Sequence, residues 1–552
     1  MNNIKTNVLF FVLMALIFMA YVAISIIHTD DLIPWLIQYY GWEDEKAMIL
    51  KQYIREETWT KAKAILILLF VGLIYIVCCD KNILKEYKLS FLSFFKWLKK
   101  DFMTCLPRER VALFLIMFLF GIIIIGYHCI TPIQLDELHT WLFFVNRGPL
   151  VTVAYYPSSN NHIGYNLLSM GWNVFLPPLW AIRIVSMLSG MGTVLLLFLI
   201  LKRKYTFLFS IAGMIMLMCS APFMWYAVQG RGYVLELFVL MVILYMLTQP
   251  VYDFVTDRLL VLCNAFVLYI VPVALIPLTL LNVYYAYRLR EAQQRSMFRI
   301  IRTFIYSGVL TFFCYAPVII FSGWQQLFNN SFVQRIAYNK VLAVSIKQYI
   351  PSIWDFISGC SIPLSLIILI VLIGGSVFLY CKKNKFVVWP IAILCVPFIL
   401  VQFYPVLLFE RTWLWLVIPF VYWVIEVLWL FADLKKRWIV IVSIGFFFLI
   451  VSANVIRSYH TNRLLKEHAS QFLKLKAIVE ERLQGKTLRV YDDVTYDYLL
   501  FYQTAEKPYT LIYSDQQPAL KEDMALCDYK NFRSSDGSIV WTDQKKVLYS
   551  SK

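Results

Sequence analysis

Apolar runs of about 20 residues recur along most of this 552-residue chain, and they limit what it can fold into. A helix rises about 1.5 Å per residue and the hydrocarbon layer of a bilayer is about 30 Å thick, so each run is long enough to cross a membrane. Hydrophobic residues make up 60% of the chain and charged residues 15%, against about 45–50% and 25% in soluble domains. The sequence therefore predicts an all-α polytopic membrane protein.

The runs predict about thirteen membrane-spanning helices. Their positions are 8–27, 62–79, 111–130, 180–201, 206–227, 233–249, 259–271, 273–287, 304–322, 361–381, 386–404, 413–431 and 438–456. The first run lacks a clear small-residue cleavage site, so we interpret it as a retained helix rather than a signal peptide. Pro272 separates the seventh and eighth runs, which predicts a hairpin of two short helices.

Lysine and arginine are concentrated in the loops on one side of these helices. Those loops are 81–110, 202–205, 251–258, 288–303, 382–385 and 432–437, and the N-terminus lies on the same side. By the positive-inside rule this side is cytoplasmic, which predicts an N-in, C-out orientation. The net charge of +17 is then a topology signal beside anionic lipid, and nucleic acid is not an expected partner.

The chain divides into three predicted regions. Residues 1–110 hold two N-terminal helices with an outer loop and a basic cytoplasmic loop, 111–456 form a transmembrane core, and 457–552 form an extracytoplasmic C-terminal domain. In the last region, strand-like pieces at 487–491 and 509–513 lie on either side of a predicted helix near 496–503. This pattern predicts a small α/β domain.

Ionisable residues cluster in the segment that follows the third predicted span, on the outer side. Asp136 and Glu137 come first, then His139, and Asn161 and His162 follow further along the same segment. Charged side chains near a bilayer are retained at a cost, which makes such a cluster a candidate functional site. Two carboxylates and two imidazoles offer a general base or ligands for a divalent metal ion. The alternative is a solvated loop that caps the helix ends.

Three arginines lie at the outer ends of other predicted spans: Arg183, Arg231 and Arg411. The planar guanidinium group suits a phosphate because it donates two parallel, charge-assisted hydrogen bonds. Taken singly, each arginine is typical of an interfacial residue that extends its charge toward water. Together with the carboxylate pair at the same membrane level, they favour a site for an anionic ligand.

From about residue 111 to 456 the chain resembles the GT-C superfamily of membrane glycosyltransferases, especially its branch of protein mannosyltransferases and lipid A aminoarabinose transferases. Asp136-Glu137 matches an Asp-Glu pair in the first outer loop of those enzymes. His162-Ile163-Gly164-Tyr165-Asn166 resembles their His-Pro-Pro-Leu-Tyr landmark but lacks the prolines. Three later landmarks resemble Arg183-Ile184-Val185-Ser186, Gly230-Arg231-Gly232-Tyr233-Val234-Leu235 and Arg411-Thr412-Trp413-Leu414. The first two spans precede this region and look like an N-terminal addition.

The resemblance implies a glycosyltransferase that takes a sugar from a polyprenyl-phosphate donor. Its acceptor is then a hydroxyl of a glycolipid, polysaccharide or protein, on the extracytoplasmic side of the plasma (inner) membrane. Asp136 is the expected general base and Glu137 the second catalytic candidate, while Arg231, Arg411 and Tyr233 are expected to bind the donor phosphate. A single displacement would invert the anomeric carbon.

The other candidates have open alternatives. His162, His139 and Asn161 are candidates for acceptor or metal binding, and a divalent metal ion is a candidate cofactor. Arg183 either holds the outer loop onto the bundle or contributes to donor binding. The C-terminal region contains no P-loop or GxGxxG signature, which agrees with a lipid-linked donor, so no nucleotide cofactor is expected.

Two other functions remain as alternatives. A polysaccharide ligase or oligosaccharyl-type transferase would also use outer arginines, but it would move a whole glycan. A non-enzymatic transporter or flippase for lipid-linked glycans would place its site near the bilayer midplane, often between internal repeats. The carboxylates available there are Glu236 and Glu426, and the sequence contains no evident repeat. Transfer of a single sugar ranks first, ligation second and transport third.

Overall fold

A computed structural model describes most of the chain. The described residues are 56–79, 83–157, 160–249, 256–291, 297–328, 334–381, 388–434, 436–482, 487–503, 510–513, 524–528, 537–542 and 546–551, with a few helical residues between 15 and 34. Most of the predicted first span, 8–27, lies outside the described residues.

Helices dominate the described chain. In the first half they are α1 (Glu56–Cys79), α2 (Ile83–Met103), α3 (Pro107–Ile130), α4 (Leu135–His139), α5 (Pro149–Ala154), α6 (Ile163–Asn173), α7 (Pro178–Lys202), α8 (Phe207–Cys219), α9 (Ala221–Val228) and α10 (Tyr233–Leu247). In the second half they are α11 (Thr256–Ile270), α12 (Leu275–Glu291), α13 (Met297–Phe321), α14 (Gln325–Phe328), α15 (Val341–Val344), α16 (Ile350–Ser358), α17 (Ile362–Cys381), α18 (Val388–Leu394), α19 (Val396–Phe403), α20 (Val417–Asp433), α21 (Arg437–Arg482) and α22 (Asp493–Tyr502).

Among the described residues, five helices are long and apolar enough to cross a membrane, or up to seven if each of two bent pairs forms one span. The five are α3, α7, α13, the stretch Glu410–Asp433 that ends in α20, and α21. This number is smaller than the predicted thirteen because several predicted spans fold into shorter helices and most of the first one lies outside the described residues. The chain is nevertheless a multi-pass membrane protein, since α3, α13 and α21 expose most of their apolar length, while α7 and the stretch Glu410–Asp433 are buried among the other helices.

Two predicted spans are broken into pairs of helices. The run 206–227 forms α8 and α9, whose axes meet at 63°. Pro222 lies in the first turn of α9, where its missing N–H costs nothing, although it could not continue α8. The run 386–404 contains α18 and α19, which are separated at Cys395, with Pro397 in the first turn of α19. The second bent pair joins Tyr338–Ser358 to Ile362–Phe378 at 82°.

The predicted hairpin at Pro272 is confirmed. Asn264 Nδ2 of α11 donates to Asn282 Oδ1 of α12 at 3.2 Å, and Tyr285 Oη donates to Asp257 Oδ1 at 3.0 Å. Because residues later in α12 meet residues earlier in α11, the two helices run antiparallel.

Two helices differ from the predicted boundaries. The segment 81–110, predicted as a loop, contains the whole of α2. The last predicted span, 438–456, continues without a break as α21 to Arg482. Both additions are amphipathic rather than apolar, so a search for apolar runs does not detect them. The predicted C-terminal domain therefore begins inside a helix that rises from the membrane.

The C-terminal region contains one five-stranded sheet. Its strands are β3 (Thr487–Val490), β4 (Thr510–Tyr513), β5 (Met524–Asp528), β6 (Gly537–Thr542) and β7 (Lys546–Ser551), in the order β4-β3-β5-β7-β6; a separate two-residue pair joins β1 (Gln334–Arg335) to β2 (Val406–Leu407). β3 runs parallel to β4 and β5, and the other pairs are antiparallel. Leu475 and Val479 of α21 pack with Leu488, Leu499 and Leu526 of this region. The membrane helix and the sheet therefore share one small core.

Candidate active site

The short helix α4 carries the adjacent carboxylates Asp136 and Glu137. It begins after Gln134, whose backbone N–H donates to Glu137 Oε2 at 2.9 Å. A carboxylate in the third position of a helix commonly caps the first free N–H in this way. Successive residues on a helix point about 100° apart, because one turn contains about 3.6 residues. The two carboxylates therefore face different surroundings.

Glu137 faces the bundle and is fully buried. Arg183 of α7, also fully buried, donates from Nε to Glu137 Oε1 and from Nη2 to Oε2, both at 2.7 Å. The backbone N–H of Gly230 donates to Glu137 Oε1 at 2.5 Å. A buried ion pair is stable only when its hydrogen bonds are satisfied, and this carboxylate is fully engaged.

Arg183 also binds the chain that leads into α4. Its Nη1 donates to the carbonyl oxygens of His128 and Thr131 at 3.2 and 2.8 Å, and its Nη2 donates to that of Pro132 at 2.9 Å. These bonds tie the end of α3 and the following loop to α7. The contacts agree with the predicted structural role of Arg183 and give Glu137 the same role.

Asp136 points in a different direction, toward Arg411. Arg411 Nη1 donates to Asp136 Oδ2 at 2.7 Å, and the two side chains are 28% and 27% exposed. Arg231 lies beside this pair and is buried. Its Nη1 donates to the carbonyl oxygen of Asp136 at 3.4 Å and to Thr140 Oγ1 at 3.2 Å. One carboxylate and two guanidinium groups therefore meet at the partly open end of the helices.

Both arginines retain unused donors. Within the described chain, the buried Nε atoms of Arg231 and Arg411 make no hydrogen bond. Arg231 is otherwise held by Asn160, through its backbone oxygen at 3.1 Å and its side chain. Buried polar groups are normally paired, so two unpaired N–H groups beside one carboxylate are typical of a site that binds a polar or anionic group.

The charges of the site set the pKa of Asp136. Burial raises this pKa, but Arg231, Arg411 and His139 together lower it more, so the pKa lies below its ordinary value of 3.8. The pKa of His162 is lowered well below 6.5, first by burial and then by Arg231 and Arg411. Asp136 is therefore ionised and His162 neutral near pH 7.

Aromatic side chains form the floor of the site. The Arg231 and Arg411 guanidinium groups each lie 6.0 Å from the centre of the Tyr233 ring. The rings of His162 and Tyr226 pack edge-on against Tyr233, with centres 4.9 and 5.4 Å away. Flat, weakly hydrated cations favour such surfaces, so Tyr233 supports both guanidinium groups.

Close packing behind this floor explains the small residue before Tyr233. A Cβ atom at Gly232 would lie 2.7 Å from both His162 Nδ1 and Ile270 Cγ2. A larger residue would push His162 or α11 away. The Gly-Arg-Gly sequence is therefore needed for packing as well as for the arginine that it contains.

Two predicted site residues make their hydrogen bonds outside this cluster. His139 Nε2 lies 3.2 Å from Asp497 Oδ2 of α22. Asn161 Nδ2 donates to the carbonyl oxygens of Thr152 and Tyr155 at 2.9 and 2.8 Å, and its Oδ1 accepts from Asn166. Asn161 therefore holds its own loop in shape, whereas its neighbour Asn160, which was not predicted, contacts Arg231.

The predicted metal ligands do not converge. Among the residues described, no group of three His, Cys, Asp or Glu side chains is arranged to hold a metal ion. Both Glu137 oxygens are used by Arg183 and backbone N–H groups, and His162 packs against Tyr233. These residues do not fit a shared ion, and the metal stays a prediction without a site.

The apolar helices, with a carboxylate and two arginines at one end, belong to a multi-pass membrane protein. The apo structure of ArnT from Cupriavidus metallidurans is similar to this chain, with a TM-score of 0.50 and 13% identity over 80% of this chain and 98% of that one. The same protein bound to undecaprenyl phosphate gives a TM-score of 0.46 with equal identity and coverage. No protein-family model and no curated protein matches the sequence.

Likeness at this identity concerns the fold. It shows that the chain shares the fold of ArnT, as the resemblance in the sequence led us to expect. What the chain does must be argued from the site itself, because one fold can carry many activities.

Proposed function

We propose that this protein is a membrane glycosyltransferase that moves one sugar from a polyprenyl-phosphate donor to an acceptor hydroxyl. The transfer takes place at the outer face of the membrane, and Asp136 is the general base. The observation that carries the proposal is the ion pair between Asp136 and Arg411, with Arg231 beside it, on a chain that folds like ArnT.

The two arginines suit the leaving group. As the bond between the anomeric carbon and the phosphate oxygen breaks, the electron pair and negative charge move onto the phosphate. Fixed guanidinium groups stabilise this charge without having to reorganise, and losing one such donor commonly costs about 10²–10³-fold in rate. Within the described chain, the Nε atoms of Arg231 and Arg411 make no competing hydrogen bond.

Asp136 suits the acceptor. A hydroxyl is a weak nucleophile, and a positioned carboxylate that accepts its proton contributes about 10²–10⁴-fold. In the reaction the acceptor oxygen bonds to the anomeric carbon, the hydroxyl proton passes to Asp136, and the polyprenyl phosphate departs. The single displacement inverts the anomeric carbon.

Donor binding and the basicity of Asp136 are linked in this mechanism. Without donor, the arginines hold the pKa of Asp136 low, which makes the carboxylate a weak base. A donor phosphate between the same arginines offsets part of their charge, and the pKa of Asp136 then rises. The base therefore becomes stronger once the donor is in place, which protects the site from unproductive proton uptake.

Glu137 and Arg183 support this site from behind. Their buried ion pair fixes α4 against α7 and Gly230, so the direction of Asp136 depends on it. No step of the mechanism passes through a metal ion, because the residues expected to bind one do not fit it.

The decisive experiment compares envelope glycolipids and glycoproteins by intact mass. Cells that lack the protein are rescued with wild type, with Asp136→Asn or with Glu410→Gln at matched membrane levels. Glu410 is a suitable control because it is an exposed acid next to Arg411, where it contacts Ser352. We expect wild type and Glu410→Gln to restore a species that differs by one sugar, and Asp136→Asn not to restore it.

The other outcomes separate the alternatives. A difference of many sugars between rescued and unrescued cells would favour a polysaccharide ligase. Full rescue by Asp136→Asn would contradict the general-base assignment and favour the non-enzymatic transporter.

A further inference from the structure

Helix α2 lies across the ends of spanning helices, on the side away from Asp136. Arg258 Nε in the first turn of α11 donates to Glu86 Oε2 at 2.7 Å. Arg203, just after the end of α7, donates from Nη2 to Asp101 Oδ2 at 2.6 Å. α7 passes Glu137 near its start and reaches Arg203 at its end, about 30 Å further along its axis. Both ion pairs therefore lie at the far end of the bundle, and α2 runs along that end.

The two acidic residues of α2 are both used in these inward contacts. They are its only carboxylates, and they lie fifteen positions apart, about 22 Å along the helix. Tyr245 near the end of α10 also donates to Asp101, at 2.6 Å. Phe94 and Trp97 pack against the main core from the same face. α2 is therefore fixed at both ends, with its remaining charge on the other face.

The outward face of α2 carries both lysines and large apolar side chains. Its five lysines are all exposed: Lys85, Lys88, Lys96, Lys99 and Lys100. Within the described part of the chain, no carboxylate forms an ion pair with any of them. Phe91, Leu92 and Phe95 lie among them and are 53%, 47% and 54% exposed.

We propose that the outward face of α2 is a docking surface for anionic phospholipids. A helix that lies in the membrane surface places its aromatic side chains among the acyl chains, while lysines extend their charge to the headgroups. Phe91 and Phe95 lie one turn apart, with ring centres 5.4 Å apart, and form a continuous apolar edge. The lysines complement phosphate, because the neighbouring acids are already neutralised by Arg203 and Arg258. The positive-inside prediction places this surface at the cytoplasmic leaflet, where anionic lipid is attracted to basic segments.

The proposal is independent of any catalytic activity, so it can be tested by lipid binding alone. Full-length protein in detergent micelles is mixed with dioleoyl phosphatidylglycerol or dioleoyl phosphatidylcholine, and bound lipids are counted by native mass spectrometry. The test variant is Lys96→Gln/Lys99→Gln/Lys100→Gln. The control variant is Lys340→Gln/Lys466→Gln/Lys474→Gln, which removes the same charge from exposed positions outside α2.

We expect wild type and the control variant to bind phosphatidylglycerol in preference to phosphatidylcholine. A lysine near an anionic surface is worth roughly fivefold in binding, so the triple change in α2 should reduce the preference by up to about 10²-fold. Lys96→Arg/Lys99→Arg/Lys100→Arg should retain it, which shows that the loss reflects charge and not misfolding. The proposal is overturned if the α2 glutamine variant keeps the preference, if the control variant loses as much, or if arginine fails to restore it.

Discussion

His139 Nε2 and Asp497 Oδ2 lie 3.2 Å apart and join helix α4, which carries Asp136, to helix α22 of the C-terminal region. A second bond runs in parallel, from Tyr498 Oη to the carbonyl oxygen of Ile133 at 3.1 Å. Phe501 packs edge-on against Trp141 in the same interface. The C-terminal region is thus in direct contact with the segment that carries Asp136, and we infer that it helps to hold that residue in position.

Loosening this contact should reduce activity more than stability. For the double variant Asp497→Asn/Tyr498→Phe we expect a decrease in the transfer rate of up to about 10²-fold, because small displacements of a catalytic group have effects of that size. The thermal midpoint of the bundle should change little. Asp433→Asn, an exposed acid outside this interface, is the control. An unchanged rate in the double variant would show that α22 only covers the loop.

The adjacent carboxylates should differ in what their loss affects. Asp136→Asn should reduce the rate about 10²–10⁴-fold and leave the protein level unchanged. Glu137→Gln leaves the buried guanidinium of Arg183 without its counter-charge, which typically costs about 3–5 kcal/mol. Measurement of the thermal midpoint in detergent, together with the rate, separates the two. A stable but inactive Glu137→Gln variant would instead support the original prediction that Glu137 is catalytic.

The pH dependence of transfer should respond to Arg411. Asp136 must be ionised to accept a proton, and its pKa is held below 3.8, so the wild-type rate should fall only as the pH drops below that value. Arg411→Gln removes one of the cations that lower this pKa, while burial, which raises it, remains. The acid limb should therefore move to higher pH. The measurement is the transfer rate at low donor concentration, which reports the pKa of Asp136 before donor binds, as a function of pH. An acid limb at the same pH in Arg411→Gln would show that Arg411 does not lower the pKa of Asp136.

Binding of the lipid phosphate should depend on both site arginines. If the proposed donor class is right, Arg231→Gln or Arg411→Gln should weaken binding of a polyprenyl phosphate by about 10–10²-fold, since a hydrogen bond to a charged group contributes about 1.5–3 kcal/mol. Arg463→Gln is the control, because Arg463 is an exposed residue of α21 paired with Glu467. Titration of purified protein with the lipid measures the affinity. Equal affinities for all three variants would place the phosphate elsewhere.

The membrane helices were largely predictable because lipid imposes a length and a composition on each one. α3, α7 and α17 begin and end within a few residues of the predicted spans 111–130, 180–201 and 361–381. The prediction missed α2 and the second half of α21, which carry polar and apolar residues on opposite faces. Their stability comes from contacts with the rest of the protein, which a local pattern does not contain.

The sequence predicted that three of the candidate site residues lie close together, but not how they are arranged. Asp136, Arg231 and Arg411 come together as expected. The sequence could not separate Asp136 from Glu137, because the direction of each depends on Arg183 and Gly230, which are distant in the chain. It also could not show that Asn160, rather than Asn161, contacts Arg231, because Arg231 is distant in the chain. The involvement of Asp497 and Tyr498 depended on a tertiary contact and had no local signal.

The interface between α22 and the loop around α4 can form only late in synthesis of the chain. Tyr498 follows Ile133 by 365 residues, and chains are synthesised at about 5–20 residues per second, so the loop waits roughly 20–70 s for its partner. Until then Trp141 and Leu142, which pack in the cluster that α22 completes, lack that cover. An mRNA truncated before the codons of α22 would yield a helical bundle in the membrane in which Trp141 and Leu142 are not covered by α22. Chaperones and proteases that recognise exposed apolar surface could thus distinguish complete from incomplete copies at this loop.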